Sequence, residues 1–215
     1  MIQKIDSSYP LVPLYNYCLK SLDDKRPNAV NMDPIDWENK PHTFLYLLYK
    51  EKRFDGPKSG YLLYYKQGEI VAGTGWYPSD WDDNMFVQTR AYVTPGHLKN
   101  LSTKNAILTN DLMFYIEDCA IKQGYKGGIV SVEKYNKHII DLGLKLNNPS
   151  RYPLYRKEEK DGIILKEWRE PCVRMREGFY AGLYNIRNTE QHVYYQLFDK
   201  GYKDQFLEKI RCLKV

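Results

Sequence analysis

Residues 85–111 read "MFVQTRAYVTPGHLKNLSTKNAILTND", and two different periods meet inside them. From Met85 to Val93 the chain alternates, with Phe86, Gln88, Arg90 and Tyr92 on one face and Met85, Val87, Thr89, Ala91 and Val93 on the other, which predicts a strand. From Lys104 the spacing changes. Leu108, Leu112, Ile116, Cys119 and Ala120 form one apolar stripe of a long helix that ends at Gly124, with Ser102 or Thr103 as its N-cap. The next apolar run, "GGIVSV" at 127–132, is short and β-branched and predicts a buried strand parallel to the first. Together these segments form a strand, helix, strand crossover.

Upstream, "LVPLYNYCLKSL" (11–22) has helical spacing at Leu11, Leu14, Tyr15, Cys18, Leu19 and Leu22, and "HTFLYLLYKEKRF" (42–54) predicts a second short helix. The Pro- and Asn-containing stretch between them, residues 23–41, is a loop suited to a lid or a cleft wall. Residues 61–66 and 70–76 flank the turn "KQGE" and predict an antiparallel hairpin, followed by the acidic loop "SDWDDN". Downstream, "YNKHIIDLG" (135–143) predicts a short helix, "CVRMREGFY" and "QHVYYQLF" predict strands, and "YKDQFLEKIRCL" a terminal helix.

Composition narrows the class. The 215 residues are 43% apolar and 27% charged, within the globular range, so the chain folds around a core. The net charge of +5 is spread over 32 basic and 27 acidic residues, without the patch or stripe of a nucleic-acid surface. Four cysteines, far apart and with no Cys-x-x-Cys pair, give neither a metal site nor a disulfide framework. The longest apolar run, "FLYLLY", is too short to span a bilayer. A reduced, cytoplasmic location with no membrane partner is the expectation. His42 and His97 have no partner at ligand spacing and are expected to be structural or surface residues.

The order of elements resembles the GNAT superfamily of N-acetyltransferases. "GEIVAGTGWYP" matches the second hairpin strand, "TRAYVTP" the fourth strand, and "GGIVSVEKYNKHIIDLGLK" the fifth strand with its helix. The resemblance implies an α/β fold with a mixed central sheet flanked by helices: one GNAT-like domain over 1–215, with a C-terminal extension from about residue 150. It also implies acetyl-CoA as cosubstrate and an acetyl transfer to a small-molecule or protein amine, with nucleic acid disfavoured and a homodimer among the options.

In that family the loop before the long helix wraps the cofactor's pyrophosphate, because the first helical turn leaves N–H groups unpaired. The resemblance maps this loop onto Leu101–Ala106, "LSTKNA", and so assigns Ser102, Thr103, Lys104, Asn105 and Ala106 to the cofactor. Leu101 stands where the family has Arg or Gln, and Lys104 where it has the first Gly. Tyr92 and Val93 close the fourth strand beside the thioester, whose carbonyl the Val93 N–H polarises. Asn136 is placed on the cofactor, and Tyr135 or His138 stands in for the tyrosine that protonates the leaving thiolate. Gln88, Arg90 and Tyr92 line the acceptor face, with Arg90 suited to an anionic group on the substrate. Asp82 and Asp83 are candidate bases, and more ordinarily solvated turn residues. Two other classes stay open: a GNAT-like binding or scaffold protein without catalysis, and a basic nucleic-acid-binding protein.

Overall fold

The computed structural model describes residues 1–100, 107–133, 157–160, 163–167, 178–186 and 189–212. Among the described residues there are nine strands: β1 (Ile2–Ile5), β2 (Gly60–Lys66), β3 (Glu69–Pro78), β4 (Met85–Val93), β5 (Gly127–Glu133), β6 (Lys157–Lys160), β7 (Ile163–Glu167), β8 (Gly178–Ile186) and β9 (Thr189–Leu197). The α-helices are α1 (Leu11–Leu19), α2 (Ile107–Lys122) and α3 (Lys203–Arg211). Seven strands form a mixed sheet in the order β1-β2-β3-β4-β5-β9-β8, flanked by helices, and β6 and β7 pair separately. The chain divides into two compact units, 1–125 and 126–215.

In the first unit β1, β2, β3 and β4 pair antiparallel in succession. The β2–β3 turn is two residues, Gln67 and Gly68, both at positive φ (52° and 81°), which gives the primed turn geometry that matches strand twist. β3 is central and buried along Ile70–Tyr77, so both of its faces are covered. α2 ends as expected at Gly124. Its φ is +81°, Gly124 N–H donates to Ile121 O and Tyr125 N–H to Ala120 O, which closes the last turn. Gln123 then ties this helix end down, accepting from Trp76 Nε1 at 2.9 Å and donating to Pro57 O at 3.0 Å.

Three expectations for this unit need correction. The short helix expected over 42–54 is present only in its middle, widening into π geometry at Tyr46–Lys50, where Glu51 N–H reaches back to Tyr46 O, and Lys52, at φ 51°, lies beyond its end. The buried stripe of α1 is rotated: Leu14, Tyr17 and Cys18 face inward, whereas Leu11, Leu19 and Leu22 are exposed. A tyrosine takes the inner position because a hydrogen-bond acceptor waits there, as described below. Residues 23–41 are not an open loop but carry two 3-10 segments, Pro27–Met32 and Trp37–Asn39.

The core of this unit is aromatic. Phe44 stacks on Tyr61 with centroids 4.2 Å apart, and Phe54 meets Tyr61 edge-on at 5.2 Å. Tyr61 pairs in register with Gly75, and its ring lies across Gly73 and Gly75 of β3. A Cβ at Gly73 would stand 2.7 Å from the Tyr61 ring, and one at Gly75 2.6 Å from it. Both glycines are therefore required by close approach, not by backbone angle.

In the second unit β5 pairs antiparallel with β9, and β9 with β8. Phe206 and Ile210 on α3 are buried, with Phe206 against Tyr195 of β9 at 4.6 Å. The helix expected over 135–143 lies outside the described residues, as does the first part of "CVRMREGFY" up to Glu177. β1 was not expected from the sequence. Among the described residues no helix is long and apolar enough to cross a membrane.

The Tyr61 crossing makes a stability prediction. Gly75→Ala pushes a methyl group into the rings of Tyr61 and Phe54, and overpacking of this kind costs about 1–3 kcal/mol. Urea denaturation should show a loss in that range, while Gly56→Ala, where the new Cβ meets only Ser59 Oγ at 3.1 Å, should lose clearly less.

Candidate functional site

β4 does not run as a regular strand. In its pairing with β3, Gly75 stands opposite Thr89 but Gly73 stands opposite Tyr92, so Arg90 and Ala91 share the space across from Thr74. This is a β-bulge, and Arg90 carries the left-handed backbone it needs, φ 52°. A non-glycine residue in that region costs on the order of 1 kcal/mol and persists only where its surroundings fix it.

The extra residue resets the alternation. Thr89 and Tyr92 now share the face of Gly73 and Gly75, while Gln88 pairs with Trp76 and Val93 with Ala72 on the other. Gln88, Arg90 and Tyr92 therefore do not line one face, contrary to the simple alternating pattern. Gln88 Nε2 donates to Thr74 Oγ1 at 3.1 Å, consistent with its side. Tyr92 is buried in the core of the first unit.

Side chains hold the bulged segment through four successive carbonyls. The Tyr61 hydroxyl donates to Arg90 O at 3.0 Å, Asn28 Nδ2 to Ala91 O at 3.0 Å, the Tyr17 hydroxyl to Tyr92 O at 2.8 Å, and Arg26 Nη2 to Val93 O at 2.5 Å. Two of the donors come from α1 and β2 and two from the segment that was expected to be a loop. A bulge leaves ladder groups without their strand partners, and at the two bulged residues Tyr61 and Asn28 supply substitutes.

The direction of Val93 follows from its neighbours. Thr94 N–H donates to Val71 O at 2.9 Å, so Thr94 belongs to a hydrogen-bonded pair of the antiparallel ladder. Bonded and non-bonded pairs alternate, so Val93, opposite Ala72, turns its N–H and C=O away from β3. Its C=O is taken by Arg26, and the nearby Ala91 C=O by Asn28. Both carbonyls are therefore already occupied by side-chain donors.

Arg26 is itself fixed. Its guanidinium binds both carboxylate oxygens of Asp24, with Nε to Oδ2 at 2.8 Å, and lies 5.1 Å over the Tyr92 ring. The Tyr92 hydroxyl donates to the same carboxylate at 2.9 Å. These hydrogen bonds from Arg26 hold Asp24 below the usual carboxylate range, against the effect of burial. Burial opposes the charge on Arg26, but the Asp24 carboxylate outweighs it and raises the guanidinium pKa. The Tyr92 phenol is pushed up by burial and then by the carboxylate that accepts its proton. The Asp24 side chain is only 6% exposed and that of Arg26 28%, which sets this pair apart from surface pairs such as Lys20–Glu69, at 43% and 66%, whose contribution to stability is small.

Beyond β4, the Thr94 hydroxyl meets His97 Nδ1 at 2.9 Å and His97 N–H donates to Thr94 O, which starts the 3-10 segment Pro95–Asn100. His97 is thus a turn residue, as expected. Asp82 is buried and its Oδ1 accepts from the N–H of Asn84, holding the turn before β4. Ser102, Thr103, Lys104, Asn105, Ala106, Tyr135, Asn136 and His138 lie outside the described residues. Among the described residues no cluster of His, Cys, Asp and Glu is arranged to hold a metal.

No family model matches the sequence, and no curated protein matches it. The fold does have solved counterparts. One is an acetyltransferase of the GNAT family from Staphylococcus aureus Mu50, at TM-score 0.53 and 15% identity over 93% of this chain and 99% of that one. A GNAT-family acetyltransferase from Streptococcus pneumoniae aligns at TM-score 0.52 and 11% identity, over 92% of this chain and 98% of its own. The fold is that of the GNAT acetyltransferases. Within this GNAT fold β4 is the strand that the "TRAYVTP" match placed fourth in the sheet. Asp24, Arg26, Asn28, Tyr17 and Tyr61 were not singled out by sequence reasoning. The one available signal was the buried helical spacing of Tyr17 with Leu14 and Cys18.

The Asp24–Arg26 clamp sets a pH dependence. A depressed carboxylate contributes stability that is fully present above the ordinary Asp value of about 4 and is lost as pH falls through its lower folded value. Asp24→Asn should therefore cost about 1–2 kcal/mol at neutral pH, below the roughly 1.5–3 kcal/mol of a full charge-assisted bond because the amide oxygen still accepts. In urea titrations that difference should shrink as pH drops below about 4, and a pH-independent difference would refute the assignment.

Proposed function

We propose that the protein is an acetyl-CoA-dependent N-acetyltransferase, an acyltransferase that uses the end of β4 to hold the thioester. The observation that carries this reading is the 92–93 peptide, whose N–H turns away from β3 directly after a bulge while side chains occupy the carbonyls around it. That arrangement fits an acyl oxygen, which needs a fixed donor where negative charge develops. Acetyl-CoA would supply an activated acetyl group: the neutral amine nitrogen bonds to the carbonyl carbon, the carbon–sulfur bond breaks, sulfur leaves as thiolate, and the amine proton passes to a base.

The chain's own residues take defined parts. The Val93 N–H binds the carbonyl oxygen, with Tyr92 shaping the peptide that carries it. Ser102, Thr103, Lys104, Asn105 and Ala106 hold the pyrophosphate, with Lys104 supplying the cation, and Asn136 holds the cofactor further along. Tyr135 or His138 delivers a proton to the thiolate. A thiol of pKa near 8.5 leaves readily enough near neutral pH that this proton assists without being indispensable. Gln88 and Arg90 contact the acceptor amine's substrate, from opposite sides of the bulge.

The second reading, a GNAT-like binding or scaffold protein, draws on Leu101 and Lys104, which replace the Arg or Gln and the glycine of the family's loop. A calorimetric titration with acetyl-CoA separates the two. A saturable isotherm is expected, and Lys104→Ala should weaken it about ten- to a hundredfold, since a charge-assisted contact is worth roughly 1.5–3 kcal/mol. Lys99→Ala removes the same charge outside the loop and should cost much less. No binding by the unmodified protein leaves the scaffold reading. Where thiol release identifies an amine acceptor, Arg90→Ala should raise its KM and leave acetyl-CoA affinity nearly unchanged.

A further inference from the structure

We infer that Tyr17 is a positioning residue of this centre, its hydroxyl setting the orientation and donor strength of the Val93 N–H through the peptide bond the two share. The inference rests on the acetyl-transfer reading for its consequence and on geometry for its substance.

The N–H of Val93 and the C=O of Tyr92 belong to one planar, trans amide, so they point in opposite directions. The Tyr17 hydroxyl donates to that C=O at 2.8 Å. A hydrogen bond accepted at one end of an amide draws electron density from the nitrogen and strengthens the donor at the other end. Tyr17 therefore acts on the Val93 N–H without touching whatever that N–H binds.

Its placement favours this role over simple core filling. Tyr17 is 2% exposed, and a phenylalanine would supply the same apolar surface. Its ring meets the Tyr92 ring edge-on at 6.0 Å, and Arg26 covers Tyr92 as well. The Tyr92 residue is thus gripped at ring, hydroxyl and carbonyl, by Tyr17, Asp24 and Arg26. Burial raises the Tyr17 phenol well above its ordinary value, so it remains a neutral donor throughout the working pH range.

The chain contains its own control. Tyr61 is equally buried and also donates a hydroxyl to a β4 carbonyl, that of Arg90 at 3.0 Å, but in a peptide that does not include the Val93 nitrogen. Tyr17→Phe and Tyr61→Phe each delete one buried hydroxyl and leave one β4 carbonyl short of a donor. A purely structural role predicts similar effects from both.

Two measurements decide. The first is the amide nitrogen resonance of Val93 in the ligand-free protein. The second is the preference for acetyl-CoA over CoA in calorimetry, because only acetyl-CoA brings a carbonyl to that N–H. Tyr17→Phe should move the Val93 resonance and reduce the preference about two- to tenfold, with CoA affinity unchanged. Tyr61→Phe, which removes a hydroxyl that interacts with that of Tyr17, should change both clearly less than Tyr17→Phe does. An unmoved Val93 resonance in Tyr17→Phe, or equal changes in the two variants, overturns the inference. If Tyr17→Phe does not fold, a fluorinated tyrosine at position 17 provides a stronger donor in nearly the same volume. It should shift the resonance in the opposite direction, and no shift overturns the inference equally. Failure of the unmodified protein to bind either ligand counts against the acetyltransferase reading instead, while the resonance still decides whether Tyr17 polarises the peptide.

Discussion

One extra residue in β4 governs the first unit. Without the Arg90–Ala91 bulge, Tyr92 would fall on the opposite face from the one it occupies, away from Tyr17 and Asp24. The left-handed conformation of Arg90 costs on the order of 1 kcal/mol, and one ordinary hydrogen bond returns about as much. Four donors converge on residues 90–93, so the sum favours the bulge by a clear margin even after desolvation. The bulge is over-determined, so loss of any one of the four donors leaves its register in place.

The same logic reaches into the aromatic core. Tyr61 can touch Arg90 only because its ring passes over β3, and that passage exists because Gly73 and Gly75 have no Cβ. Phe44 and Phe54 then close on the Tyr61 ring from other sides. The glycines of "GEIVAGTGWYP", the tyrosine of "GYLLYY" and the bulge of "TRAYVTP" are thus three parts of one contact. Salt bridges on the surface of this unit, such as Lys50–Glu38 at 3.6 Å, stand apart from it and contribute little.

Much of this was legible in the sequence. The change from period two to helical period in 85–124 gave β4 and α2, and "KQGE" gave the hairpin, because these signals depend on local alternation and turn chemistry. β1 escaped notice because "IQKI" is four residues at an edge, too short for a pattern. The bulge was illegible because it is a register fact: Arg90 looks like any strand residue until its partner is known. The Asp24–Arg26 clamp was illegible for a similar reason. Its acceptor is a backbone carbonyl 67 residues away, and backbone carbonyls leave no trace in composition. The α1 stripe differs from the apolar spacing because Tyr17 takes an inner place to reach the Tyr92 carbonyl, an acceptor 75 residues away in the chain.

The tyrosines of the first unit also give the fold an optical signature. Of 20 in the chain, Tyr17 and Tyr61 are raised well above the ordinary phenol value by burial, Tyr65, Tyr92 and Tyr125 are also raised by it, and Tyr49 is pushed up to about 12. A group held protonated in the folded state stabilises that state fully below its unfolded value, near 10, and withdraws that support as pH climbs past it. Exposed and half-buried phenols ionise gradually, whereas Tyr17, Tyr61 and Tyr92 can do so only when the core that encloses them opens. In strong alkali, phenolate absorbance and loss of structure are therefore coupled, and the ultraviolet spectrum alone reports whether the aromatic core over β3 is intact.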